Sequence, residues 1–212
     1  MNKIIPDVAR CLELMETFSM WENIRCHSFM VARVAEFLHR QLDNAGRAGA
    51  VPQRELVIAG ALLHDIAKSK CLDEGCRHAD VGAVLCEELG YMDIAEIVAN
   101  HVILSDFEPN RYQRGEFNAV ELVFYADKRV KHDQVVSLDE RLDYILEKYA
   151  NNSQRNEALI IKNFAACRTL EKHLFARLDF SPADIPNLLA EESAGTLQYP
   201  PLEPVASAQP SL

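Results

Sequence analysis

The chain has 212 residues, 49% of them hydrophobic, and a formal net charge of -10. That is enough apolar material for one sizeable core and a small second lobe. The acidic balance excludes broad nucleic-acid binding and docking on an anionic membrane, both of which need a basic face.

Almost every periodic stretch reads as helix. Val8, Leu12 and Met15 repeat at helical spacing after Pro6. The segment from Glu22 to Asn44 carries one stripe of Val31, Val34, Ala35, Leu38 and Leu42, with His27 on the same stripe. Gly46, Gly49 and Pro52 end it. A helix from about Gln53 to Ala67 is nearly apolar from Val57 to Leu63, which predicts a central buried helix in which Gly60 allows close packing. Lys68 to Arg77 reads as a polar connection. A helix opening at His78 places Val81, Gly82, Leu85 and Leu89 on its face, with Gly90 beyond its end. Another, from about Asp93 to Val102, sets Ile94, Ile97, Val98 and His101 in step. Ser105 to Gly115 reads as a polar loop, long enough for a lid or rim.

The next helix, about Phe117 to Lys131, carries Val120, Val123, Phe124 and Asp127 on one side. Helices follow at about Leu138 to Ala150, Glu157 to Leu178 and Pro182 to Glu192, with Ser181 as an N-cap. From Gly195 the chain is Pro-rich and irregular, a tail or strap. With no strand alternation and no repeat, the expected fold is all-α. It is a compact helical bundle over 1–194, with a core of about 20–150, extra C-terminal helices at about 153–194, and an irregular Pro-rich tail at 195–212.

Cys11, Cys26, Cys71, Cys76, Cys86 and Cys167 are scattered, most of them inside apolar helical patterns, which predicts buried reduced thiols and a cytoplasmic protein. Cys71 and Cys76 could be half of a zinc site, but no second pair completes it. Residues Met1 to Asp7 lack the apolar core of a signal peptide, and no apolar run is long enough to span a bilayer.

The informative residues are polar ones on apolar faces: His27, His64, Asp65, His78, His101 and Asp127. One such histidine is usually a satisfied core residue. Four histidines and two aspartates on five helices are another matter, because two buried carboxylates demand cations. Metal ions inside the bundle would satisfy all six. His39, His132 and His173 do not join them: His39 has polar neighbours, His132 follows a charged run, and His173 lies in a late helix.

His27, then His64-Asp65, then Asp127, on successive helices, resembles the HD-domain metal-dependent phosphohydrolases, and His64 to Lys68 reads HD-x-x-K. The resemblance covers about residues 20 to 150. His78 and His101 match the two extra histidines of the binuclear subgroup. The contexts His78-Ala79-Asp80-Val81-Gly82-Ala83, Ala99-Asn100-His101 and Tyr125-Ala126-Asp127-Lys128 resemble bacterial symmetrical diadenosine tetraphosphate hydrolases. Those enzymes often carry a second histidine where Val102 stands here. The GYP motif of cyclic-di-GMP phosphodiesterases is absent.

The resemblance implies that His27, His64, Asp65 and Asp127 hold one divalent transition metal, drawn from Fe, Mn, Co, Ni or Zn. It implies that His78 and His101 hold a second, with Asp65 bridging ions roughly 3.5–4 Å apart. It implies hydrolysis by metal-activated hydroxide of a phosphate ester or anhydride in a nucleotide or other small phosphorylated metabolite. No further cofactor, nucleic acid or membrane partner is expected, and a homodimer is compatible. Asp65 and Lys68 are the catalytic candidates. Lys68 reads equally as a phosphate contact and as a solvated lysine favoured by a helix C-terminal dipole. Of Lys128, Arg129 and Lys131, at least two are expected on an exposed basic stripe, with Lys131 able to reach the pocket mouth. Asp106 and Glu108 read as solvated rim charges. The same ligand set serves a di-iron oxygenase of the phosphonate- or polyol-oxidising type, and a degenerate set would leave a nucleotide-binding sensor.

Overall fold

The structure, a computed structural model, describes residues 4–46 and 49–192. The Pro-rich segment 195–212 lies outside the described residues. Helix α1 (Val8–Thr17) is capped by Asp7, whose side chain accepts from the Arg10 amide at 2.8 Å. Helix α2 (Glu22–Ala45) buries the predicted stripe and ends on Gly46 in the left-handed conformation, φ 61°. Helix α3 (Arg54–Leu63) is buried from Val57 through Leu63 and is the centre of the bundle. Around it pack α1, α2, α6 (Met92–Asn100) and α8 (Ala119–Lys128). A Cβ on Gly60 would collide with Ile97 of α6, so the absence of a side chain sets that close approach.

The expected helix to Ala67 stops at Leu63 instead. The Ile66 amide donates to Leu63 at 3.0 Å and the Lys68 amide to Asp65 at 2.9 Å. These tighter turns swing the chain away, and it restarts as α4 (Lys68–Glu74), in a stretch expected to be a connection. Ser69, buried on α4, accepts from the Trp21 amide at 2.8 Å and ties this turn to the start of α2. Helix α5 (His78–Glu88) and α6 form an antiparallel hairpin through Gly90, φ 82°. The expected polar loop contains a short helix α7 (Pro109–Gln113).

Helix α8 is opened by a capping box between Asn118 and Glu121. A small antiparallel hairpin follows it, β1 (Val130–Lys131) and β2 (Gln134–Val135), where no strand was expected. Two residues per strand are too few to show an alternation. Helix α9 (Leu138–Tyr149) and α10 (Gln154–Phe175) then cover one end of the bundle. A 3-10 turn (Pro182–Asp184) with the predicted Ser181 cap leads into α11 (Ile185–Glu191), which returns to α2. The fold is all-α apart from the hairpin, and no helix among the described residues is long and apolar enough to cross a membrane.

The expectation of an exposed basic stripe fails, and that of buried reduced thiols holds only in part. Lys128 and Arg129 are buried, not exposed. Arg129 binds the Tyr125 hydroxyl and the Val136 and Pro182 carbonyls at 2.6, 2.7 and 2.9 Å, joining α8 to the hairpin and the C-terminal turn. Lys131 turns to Glu140 at 3.4 Å. Cys71 and Cys76 form a disulfide, whereas Cys11, Cys86 and Cys167 are buried free thiols and Cys26 is half-buried. Spacing alone does not separate a metal half-site from a short disulfide loop.

Candidate metal centre

The six candidate residues arrive from different elements. His27 comes from the second turn of α2, His64 and Asp65 from the turn after α3, and Asp127 from the last turn of α8. His78 opens α5 and His101 follows the end of α6, so the hairpin brings these two sequence-distant residues together. Their Nε2 atoms are 3.2 Å apart. A Cβ on Gly82 would stand 2.8 Å from Val98 and 3.3 Å from Ile66, so the bare glycine lets α5 lie against α6 and the His64–Ala67 turn.

Two clusters with metal-ligand geometry result. One is His27, His64 and Asp65; the other is Asp65, His78 and His101. Asp65 belongs to both through different oxygens. Its Oδ1 lies 3.2 Å from His78 Nε2 and 3.4 Å from His101 Nε2. Its Oδ2 lies 3.3 Å from His64 Nε2 and 4.0 Å from His27 Nε2. Asp127 Oδ1 closes the first cluster, 3.0 Å from His27 Nε2 and 3.9 Å from His64 Nε2.

Three of the imidazoles have committed their other nitrogen. His27 Nδ1 donates to the His132 carbonyl at 2.9 Å, His64 Nδ1 to Ala61 at 2.7 Å and His101 Nδ1 to Val98 at 2.7 Å. A carbonyl only accepts, so in the neutral rings the proton is on Nδ1 and the Nε2 lone pair faces the carboxylates. Burial pushes His27 below its ordinary pKa and His101 down to about 4, which keeps both neutral. Burial also opposes charge on His64, but the Asp65 carboxylate outweighs it and leaves that pKa raised. Lone pairs pointed at carboxylate oxygens repel unless a cation stands between them. His64 Nε2 and Asp65 Oδ1 are moreover buried without a hydrogen-bond partner. The donor set therefore fits metal ions.

Local cations hold the carboxylates ionised. Burial raises the Asp65 pKa, but Lys68 and His64 overcome it and hold the group well below the carboxylate range. Lys68 Nζ donates to Asp65 Oδ2 at 2.8 Å from the first residue of α4, not from a helix C-terminus as expected. Its own pKa is raised, since Asp65 outweighs the cost of burial. Asp127 is likewise held low by Lys128, whose Nζ donates to Asp127 Oδ2 at 2.7 Å and to the His101 carbonyl at 2.9 Å. Above the centre opens a cavity of about 390 Å³, with Asp65, Lys68, His78, His101, Asp127, Lys128 and Arg141 on its floor. Helices α4, α9 and α10 wall it, and both disulfide cysteines lie on that wall.

Sequence reasoning missed three participants. His132 orients His27 through a backbone carbonyl at the hairpin tip, where no side-chain pattern could show it. Lys128 passed for a surface charge. Arg141 interrupts the stripe Leu138, Arg141, Ile145, the same signal that singled out the histidines. His39, set aside for its polar neighbours, is in fact buried, with Nε2 bound to the Pro52 carbonyl at 2.7 Å. Asp106, Glu108 and Lys131 do not line the cavity.

The HD domain family model matches residues 24–162, about two thirds of the chain. Among curated proteins, a tRNA (cytidine(56)-2'-O)-methyltransferase of Picrophilus torridus is 28% identical over 176 residues, 76% of this chain and 46% of that protein. The protein of the same name from Thermoplasma volcanium is 28% identical over 149 residues, 63% of this chain and 41% of its own length. The chain thus spans less than half the length of these curated relatives. No solved structure matches it significantly.

Proposed function

Because the chain belongs to the HD domain family, we propose that it is a metal-dependent phosphohydrolase acting on a nucleotide or another small phosphorylated metabolite. The observation that carries the reading is the buried donor set: the Nε2 atoms of four imidazoles converge on Asp65 and Asp127, with His64 Nε2 and Asp65 Oδ1 left unpartnered. His27, His64, Asp65 and Asp127 would hold one divalent ion, and His78 and His101 a second, with the two Asp65 oxygens serving one each. Mixed imidazole and carboxylate donors suit Fe, Mn, Co, Ni or Zn. When bound, such ions supply Lewis acidity and water of lowered pKa, hence hydroxide near neutral pH.

The chain's own groups do the remaining work. The carbonyls of Ala61, Val98 and His132 fix the ring orientations in advance, as outer-shell partners of metal-binding histidines do. Lys68, on Asp65 and at the cavity floor, offsets the carboxylate charge that would repel an incoming phosphate. Lys128 does the same for Asp127. The walls from α4, α9 and α10 limit bulk water at the floor, which strengthens every charge interaction there.

The relatives' name does not carry over as methyl transfer. It belongs to proteins of which the shared segment is less than half. A net charge of -10 also argues against a tRNA substrate, whose phosphates are best met by an excess of Lys and Arg. The diadenosine tetraphosphate reading stays within the proposal as one candidate anhydride. The test is a phosphate-release screen of protein loaded with each metal in turn, over mononucleotides, dinucleoside polyphosphates and cyclic nucleotides. Metal-dependent release that Asp65→Ala abolishes supports the hydrolase. Oxygen uptake by an iron-loaded sample with no phosphate release would replace it with the oxygenase.

A further inference from the structure

The cavity has two unlike ends, and each points to a part of the ligand. On the floor, Arg141 is only 7% exposed. Its Nε has no hydrogen-bond partner, and its Nη2 stands 3.6 Å from Asp127 Oδ1, beyond hydrogen-bond reach. The guanidinium lies over the Tyr144 ring, 5.4 Å from its centroid, which holds the plane in place. A buried guanidinium with unspent donors calls for an anion with several acceptor oxygens, and the phosphoryl group matches its planar fork.

The mouth is the opposite. Nine large apolar side chains are exposed among the described residues, and five of them, Leu72, Val102, Ile103, Tyr149 and Leu159, line this one cavity. Exposed apolar side chains scattered singly need no explanation, but a cluster around a charged floor marks a binding site. Beyond the floor, the wall offers the Tyr149 hydroxyl and Asn163, whose amide already donates to the Val102 carbonyl at 2.8 Å. A sugar with several hydroxyls would lose water there and find few partners. An alkyl or aryl group would instead cover the apolar rim.

We propose that the cavity takes a phosphate monoester whose organic part is apolar, an alkyl or aryl group seated on the α4, α9 and α10 wall, with its phosphoryl group gripped by Arg141. The proposal rests on the hydrolase reading for its chemistry, but its test does not depend on turnover. Metal-loaded protein is titrated calorimetrically with methylphosphonate and n-hexylphosphonate, which carry no bond it could hydrolyse. Each methylene buried is worth about fourfold in affinity, so hexylphosphonate should bind at least tenfold more tightly. Arg141→Gln should weaken both ligands at least tenfold, and Arg141→Lys should restore part of the loss. Leu159→Ser, at a position 51% exposed where folding is not at stake, should narrow the gap between the two ligands and leave methylphosphonate unchanged.

A gap short of tenfold, or methylphosphonate affinity indifferent to Arg141→Gln, overturns the proposal. Arg141-dependent, chain-length-dependent binding without hydrolysis of any phosphate ester would refute the hydrolase and leave this site standing. Hydrolysis without either dependence would do the reverse.

Discussion

Among the described residues the bundle buries acidic groups at Glu36, at Glu121 and at Asp65 with Asp127, and the surroundings of the first and the last differ in kind. At Glu36, 2% exposed on α2, the carboxylate is answered by arginines: Arg54 reaches Oε1 at 3.0 and 2.6 Å, and Arg40 stands 3.1 Å away. At Asp65 and Asp127 the carboxylates face imidazole nitrogens, with Lys68 and Lys128 answering one oxygen of each. The first arrangement pairs carboxylate with arginine and ties α2 to the start of α3, although Glu36 Oε2 itself has no hydrogen-bond partner. The second leaves His64 Nε2 and Asp65 Oδ1 unpartnered in a place where water is scarce. Burial of charge therefore does not by itself mark function. What marks it is the kind of group that meets the carboxylate: several imidazole nitrogens converging on one aspartate form a metal-ligand set, and arginines do not.

Substitution separates the two regions most sharply. Asp65→Ala should lose metal and phosphate release together, the latter by roughly three orders of magnitude. Glu36→Gln should leave metal content and turnover within about twofold while lowering stability by about 2 kcal/mol, because both arginines are partly exposed and can regain water. Metal analysis and urea unfolding of the two variants check this. If Glu36→Gln also emptied the metal centre, the two regions would be one coupled network.

A smaller effect is expected one layer out. Gly82→Ala places a methyl against Val98 and Ile66 and should push α5 off α6, at a cost of about 1–3 kcal/mol. Because His78 opens α5, an ion held by His78 and His101 would be bound less tightly, whereas one held by His27, His64 and Asp127 would not. Competitive titration with a chelator resolves the two affinities.

The smallest effect on metal binding is expected at His132, whose carbonyl orients His27 while its imidazole packs edge-on against Tyr144. His132 has φ 57°, which glycine adopts freely. His132→Gly should keep metal affinity within about threefold of the parent, measured in the same titration. A large loss would show that the ring itself contributes.

Legibility in the sequence follows the same physics. Long amphipathic helices were readable because one face is apolar throughout: Glu22 to Asn44 was expected, and α2 spans Glu22–Ala45. The six centre residues were readable because each breaks such a face. Helix α4 was not, since Lys68 to Glu74 is polar nearly throughout and is held by the tertiary contact of Ser69 to Trp21. The β1–β2 hairpin was too short to show a period, and the His132 carbonyl leaves no trace in residue type. Arg141 was readable in principle, on the stripe with Leu138 and Ile145, but arginine is so common on exposed helix faces that its place on an apolar one was overlooked.

In the proposed reading Asp65 would serve two ions, one with His27, His64 and Asp127 and one with His78 and His101. The most direct test is metal stoichiometry of the parent and of His78→Ala after loading and desalting, by elemental analysis. Two ions per chain falling to one in the variant is the predicted result. A parent that retains no ion, or a His78→Ala variant that retains as many as the parent, would contradict it.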